Sequence, residues 1–228
     1  MKTGWYYLNS GAGGAEWNMA LDEALLEAAA QIGNPILRFY SWSEPAASFG
    51  YFQSYREIES WTRLRPLVRR PTGGGLVPHD RDWTYSLVFP PNHEWHGTRA
   101  EESYRRAHDW ISKAFAQVSI KTELSPSAFK EIPGQCFAGA EKFDLLFSGK
   151  KIAGAAQRRN KHGLLIQGSV QDQPRGVQRM AWEAAMLEIG SQVYSVEWIP
   201  LQLPPAVVER AEFLRDEKYG TEKYYRKK

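Results

Sequence analysis

The chain has one cysteine, Cys136, in 228 residues. An intramolecular disulfide is therefore excluded. With no secretory-type apolar segment ahead of a small-residue cleavage site, the expected compartment is the reducing cytoplasm. No apolar run approaches the length of a membrane-spanning helix, so no span is expected. Neither sign of charge dominates: 29 Lys and Arg against 26 Asp and Glu leave a formal +3. Such a mild excess does not demand nucleic acid, and it would suit an acidic protein partner equally well. Internal repeats and low-complexity tracts are also lacking. The length and ordinary apolar content fit a single domain over 1–228 with a full core and no need of staples.

What is present reads as strands followed by helices, without regular βαβ alternation. WYYLN near the start predicts a strand broken by Gly11–Gly14. Trp17, Ala20, Leu21, Ala24, Leu25 and Ala28 recur at helical spacing and predict a helix over 16–30, with Met19 and Leu26 widening its stripe. Strands are predicted over 36–42, 46–51, 83–89 and 164–171, and a hairpin joins 143–147 to 151–156 around Ser148-Gly149-Lys150. Helices are predicted over 55–64, 101–118, 176–189 and 205–218, with PPNHEWHG as a loop. The pattern suggests an α+β fold with a mixed or antiparallel sheet.

Two loci carry chemistry. Cys136 lies fifteen residues before Lys151 in the hairpin SGKKIAGAAQ. An ammonium beside a thiol favours the reactive thiolate, so the two read as a nucleophile and its activator. Lys150 should face away from Lys151 on the strand. The second locus is RRPTGGGLVPHD, residues 69–80. Consecutive glycines let backbone approach a ligand closely. Their amides can form an anion-binding nest, with Arg69 or Arg70 adding charge-assisted hydrogen bonds. No Gly-Lys-Ser/Thr follows, so this is no Walker loop, and the dinucleotide spacing is missing. His93 and His96 form H-x-x-H but have no second cysteine or carboxylate pair beside them, so no metal site is expected. Asp80 and Asp82 are assigned no chemistry.

WNMALDEALL, SFGYFQSYREIE, RRPTGGGLVPHD, SGKKIAGAAQRRNKHGLLIQGSV and EKYGTEKYY, in this order, resemble the lipoate–protein ligase A, octanoyltransferase and biotin ligase family. The resemblance covers most of the chain, from about Trp17 to Tyr225. It implies a mixed, largely antiparallel sheet flanked by helices, in a class II synthetase or biotin ligase-like catalytic domain, and for want of room no accessory C-terminal ligase domain is expected. It also implies attachment of an octanoyl or lipoyl group to one lysine of a carrier domain. GQCF and HDRDWTYSL resemble the Gram-positive type of octanoyltransferase, in which a cysteine thioester carries the acyl group. Gly75 departs from that type, which usually reads TGGR, and matches the TGGG or SGGG of ligases.

The implied site is Cys136 and Lys151 as catalytic residues. Arg70, Thr72, Gly73, Gly74, Gly75, Leu76, Val77, His79, Gly154, Ala155 and Ala156 would line the acyl site, the small residues leaving room for the chain. Acyl carrier protein is the implied donor, and a lipoyl domain or a glycine-cleavage H-type carrier the acceptor. A transferase needs no cofactor, whereas a ligase would need ATP and magnesium. The basic run Arg158, Arg159 and Lys161 could receive an acidic carrier. The alternatives are an ATP-dependent lipoate–protein ligase, an amidotransferase moving octanoyl between carriers, and a non-catalytic acyl-binding homologue. Nucleic acid and membrane are not expected as partners.

Overall fold

The computed structural model describes residues 3–130, 134, 136, 137 and 139–227, and for Lys130 the backbone only. Gln135 of the GQCF segment lies outside the described residues. In chain order the elements are β1 (Thr3–Gly13), α1 (Ala15–Ile32), β2 (Ile36–Trp42), β3 (Ala46–Phe49), α2 (Tyr55–Ile58), β4 (Leu67–Arg69), β5 (Val77–His79) and β6 (Trp83–Phe89). Then follow α3 (Glu94–Gly97), α4 (Ala100–Gln117), β7 (Glu123–Leu124), β8 (Phe129–Lys130), β9 (Gly139–Ala140), β10 (Leu145–Phe147), β11 (Lys150–Asn160) and β12 (Gly163–Val170). The chain closes with α5 (Arg179–Tyr194), β13 (Val196–Pro200), α6 (Pro205–Leu214), a π-helical turn (Arg215–Tyr219) and α7 (Glu222–Tyr225).

The main sheet runs β13-β1-β2-β6-β12-β11-β10-β7. Its β13-β1-β2 edge is parallel and the remaining pairs are antiparallel. The α+β expectation of a mixed, largely antiparallel sheet flanked by helices therefore holds. Alternation along the strands divides the core in two. Tyr85, Leu87, Phe89, Leu164 and Ile166 face α4 and α5, where Trp110 and Trp182 are fully buried. Leu165 and Val88 face α1 and α6 on the other side. The α1 stripe ends at Gly33, whose left-handed backbone (φ 80°) lets its N–H close on Ala29 O.

A small sheet, β4-β3-β5, stands beside the large one. Its β4–β5 connection is the glycine segment, so both ends of that loop are anchored by β3. This is the feature that positions the site.

Several local expectations change. The strand at the start runs through the glycines, absorbing them with a register shift between Asn9 and Ala12. The helix predicted over 55–64 is one turn, α2. Pro66 biases the residue before it toward extended backbone, which works against a helix running up to it. PPNHEWHG contains α3, built around buried Trp95, with His93 Nδ1 accepting the Trp95 N–H. His96 Nε2 is 2.9 Å from Asn160 O, so both histidines of H-x-x-H have structural partners. Strand β13 has no counterpart in the expectations. Among the described residues no helix is long and apolar enough to cross a membrane.

Candidate active site

A cavity of about 580 Å³ opens where the glycine segment crosses β11 and β12. Its wall includes Cys136, Lys151, Arg70, Gly74, Gly75, Val77, His79, Gly154, Ala155 and Ala156. Thr72, Gly73 and Leu76 stand behind it. Thr72 Oγ1 donates to Gln167 Oε1 (2.8 Å). Gly73 O accepts from Arg70 Nε (3.0 Å) and Nη2 (2.5 Å). Leu76 packs with Phe49, Ile58 and Leu67 under the small sheet.

The cysteine is seated on the glycine segment by backbone. Leu76 N–H donates to Gly134 O (2.8 Å), and Cys136 N–H donates to Leu76 O (3.1 Å). The Gly75 N–H then points at Cys136 Sγ, 2.9 Å away. One of the loop amides on which an anion was expected is thus taken by the sulfur. Gly74 takes φ 84°, a left-handed conformation natural to glycine. A Cβ at Gly75 would come within 2.3 Å of Gly134 O, so only glycine lets the two segments lie this close.

The adjacent arginines, not separable in sequence, have different tasks. Arg69 turns away from the cavity and binds the carbonyls of Tyr51, Gln53, Tyr224, Tyr225 and Lys227. It fastens the C-terminal turn to the loop after β3. Arg70 turns inward, to Gly73 O, Gly75 O (2.8 Å) and Ser48 O (3.2 Å). Burial pushes its pKa down, and the charge and hydrogen bonding of Cys136 oppose that fall.

The β10–β11 hairpin turns through Ser148 (φ 50°) and Gly149 (φ 75°), two left-handed positions in a two-residue loop. Lys150 is exposed, while Lys151 is carried into the cavity with a side chain only 6% accessible. Its Nζ donates to Asp144 Oδ2 (2.7 Å) and to Cys136 O (2.5 Å), and lies 4.7 Å from the centre of the Phe137 ring. Cys136 and Lys151 therefore meet, but the contact runs through the backbone carbonyl. Gly75 N–H is the group that meets the sulfur, and Arg70 grips the same residue through Gly75 O.

Asp144, just as buried as the lysine, escaped sequence reasoning, since a single carboxylate at the start of a hairpin has no distinctive spacing. Gly154 also reads differently. A Cβ there would lie 2.7 Å from Lys151 Cε and 3.2 Å from Asp144 Oδ1, so the missing side chain makes room for this ion pair. Ser48, Trp42, Tyr40, Tyr104 and Gln167 line the cavity too and were not anticipated. Two of them are held from beneath by buried Asp22, which accepts from Arg38, Ser86, Tyr40 and Gln167. Arg159 of the basic run is consumed inside the fold, donating to Trp95 O and Ser103 Oγ.

Residues 15–172 match the model of the lipoyl protein ligase A/B catalytic domain. The chain belongs to this family. It is 34% identical over 181 residues to octanoyltransferase LipM of Lysinibacillus sphaericus, covering 74% of this chain and 66% of that protein. It is 33% identical over 183 residues to octanoyltransferase LipM of Bacillus subtilis, with 74% and 66% covered. The chain thus spans just under two thirds of the length of these curated relatives. Among solved structures it resembles a lipoate-protein ligase A bound with ATP, with TM-score 0.80, 21% identity and 99% of both chains covered. It also resembles the bi-partite lipoate protein ligase of Thermoplasma acidophilum, with TM-score 0.75, 20% identity, and 99% of this chain and 97% of that one covered. At these identities the structures speak for the fold.

Proposed function

We propose that this protein transfers an octanoyl or lipoyl group from acyl carrier protein to one lysine of a lipoyl-carrier domain, through a thioester on Cys136. The observation that carries this reading is the lone thiol facing a cavity, with a backbone N–H directed at its sulfur and a buried guanidinium on the same wall. The names of the LipM relatives support it.

In this mechanism the Cys136 thiolate attacks the thioester carbonyl of the donor. The bond to the donor sulfur breaks, and that sulfur leaves as a thiolate, which takes a proton from solvent. The acyl group stays on Cys136 until the neutral amine of the carrier lysine attacks, forms an amide, gives up one proton to solvent and releases the thiolate. Thioester to amide is downhill, so no ATP is required. Arg70 and the Gly75 N–H stabilise negative charge, first on sulfur and then on the tetrahedral oxygen, as preorganised donors do. Lys151 spends two of its three N–H groups on Asp144 and the Cys136 carbonyl. The third orients the acyl carbonyl. Val77, Trp42, Ala155 and Ala156 offer the tail an apolar wall, worth about 0.8 kcal/mol per buried methylene.

Intact-mass spectrometry after mixing with octanoyl–acyl carrier protein, without ATP, tests the reading. An octanoyl adduct is expected on the chain, absent in Cys136→Ser and discharged by an apo lipoyl domain. A second reading, the ATP-dependent ligase, draws on Gly75, which completes a ligase-like TGGG. No adduct, with lipoyl-domain modification only when octanoate, ATP and magnesium are supplied, would replace the transferase by the ligase. Octanoate binding without turnover in either assay would leave a non-catalytic acyl binder.

A further inference from the structure

Asp82 was assigned no chemistry in the sequence, yet it ends a chain of hydrogen bonds leading to the nucleophile. Asp82 Oδ2 lies 2.7 Å from His79 Nδ1, and it accepts from Ser169 Oγ (2.7 Å) and Thr84 Oγ1 (3.0 Å). The donor directions at the two hydroxyls are set from outside. Trp42 Nε1 donates to Thr84 Oγ1 and Gln171 Nε2 donates to Ser169 Oγ, which leaves each hydroxyl proton for Asp82. A carboxylate oxygen that receives these donors acts only as an acceptor. His79 must then carry its proton on Nδ1.

The far side of the ring follows. His79 Nε2 is 2.8 Å from Ser48 Oγ. The other group on Ser48 Oγ, Arg70 Nη1, can only donate, so the Ser48 hydroxyl donates to Nε2 and turns its lone pairs outward. Arg70 Nη1 lies 3.3 Å from that oxygen. The imidazole cannot turn, because Trp42 stacks on it with centroids 3.9 Å apart and planes 17° from parallel. All protons in the chain therefore point one way, from Arg70 to Ser48 to His79 to Asp82.

Arg70 needs such a partner. Its remaining acceptors are carbonyl oxygens, and no carboxylate pairs with it among the described residues. A buried guanidinium without an acid is oriented only by neutral dipoles and keeps its charge available to an anion in front of it.

We propose that Asp82, His79 and Ser48 are positioning residues, a one-way hydrogen-bond relay that holds the Arg70 guanidinium on Gly75 O, and so holds the glycine segment whose Gly75 N–H meets the sulfur of Cys136. The proposal deepens the transferase reading and rests on it for its purpose. Its test needs no acyl donor, so the two can fail separately.

The chain's one cysteine makes alkylation by iodoacetamide easy to follow by mass. Ser48→Ala removes one oxygen atom, and Asp82→Asn reverses the polarity imposed on the imidazole. Both are expected to slow alkylation of Cys136 by about threefold to tenfold, because thiolate held by a cation is the reacting form. Ser48→Thr, which keeps the hydroxyl, should restore most of the rate. Nitrogen-15 NMR of His79 should show the Nδ1–H tautomer in the native chain and Nε2–H in Asp82→Asn. Native alkylation rates in folded Ser48→Ala, or an Nε2–H tautomer in the native chain, would overturn the relay. If Asp82→Asn does not fold, Ser48→Ala and the native spectrum decide. A chain that passes both tests but forms no acyl adduct would keep the relay and lose the transferase.

Discussion

Asp144→Ala is expected to lower stability by about 3–5 kcal/mol, because it strands the Lys151 ammonium in the protein interior. Both side chains are only 6% accessible, and the carboxylate also accepts the Glu141 N–H at 2.7 Å. For a chain of this size, such a loss corresponds to a fall in Tm on the order of 10 °C. Calorimetry of the single variant and of a Lys151→Met, Asp144→Leu double variant separates charge from packing. Replacing both partners with apolar residues of similar volume should recover most of the lost stability, since buried pairs are often matched by apolar isosteres. Activity should not return with it. Under the transferase reading the double variant lacks the N–H that orients the acyl carbonyl, and it is expected to transfer acyl groups at least about a hundredfold more slowly. Equal stability of the native chain and Asp144→Ala would show that solvent reaches the lysine. Recovery of transfer in the double variant would remove Lys151 from the mechanism.

The consequence for the ion pair was not legible in the sequence, and the reason is geometric. Periodicity reports which residues share a face of one element, so β2, β6 and α1 could be placed almost to their ends. It does not report which elements meet. Strand β13 owes its existence to parallel pairing with β1, a neighbour nearly the whole chain away. Five residues ending in a proline have too little pattern to announce that. The glycine segment was legible because consecutive glycines have few other uses. The choice between Arg69 and Arg70 was not, because neighbours on a strand point to opposite faces and only the packed sheet says which face holds the cavity. Ser48, His79 and Asp82 show the same limit. The His79–Asp82 spacing was visible, but its meaning depends on β3 lying beside β5 and bringing Ser48 to the other ring nitrogen.

Gly75→Ala should cost more activity than its single methyl suggests. Backbone strain is not the cause, since the left-handed glycine of this loop is Gly74 and not Gly75. The new Cβ would stand 2.3 Å from Gly134 O, 2.7 Å from Gly134 C and 3.1 Å from Cys136 N. These are backbone atoms and cannot step aside as a side-chain tip would, so the segment itself must lift. Lifting it weakens the Leu76–Gly134 and Cys136–Leu76 hydrogen bonds and draws the sulfur away from the Gly75 N–H. A displacement near 1 Å at a reacting atom can cost about a hundredfold in rate, and under the transferase reading acyl-enzyme formation is expected to fall by about that factor. Stability should change little, because Gly134 is exposed and the main sheet is untouched. Rapid-quench mass spectrometry of the adduct, alongside thermal melting, reads both quantities. Gly75→Arg extends the argument. An arginine there meets the same backbone atoms, so its side chain has no room while Cys136 occupies its present seat. Native rates of acylation in Gly75→Ala would mean that the close seating of the cysteine on the glycine segment is not the reacting arrangement.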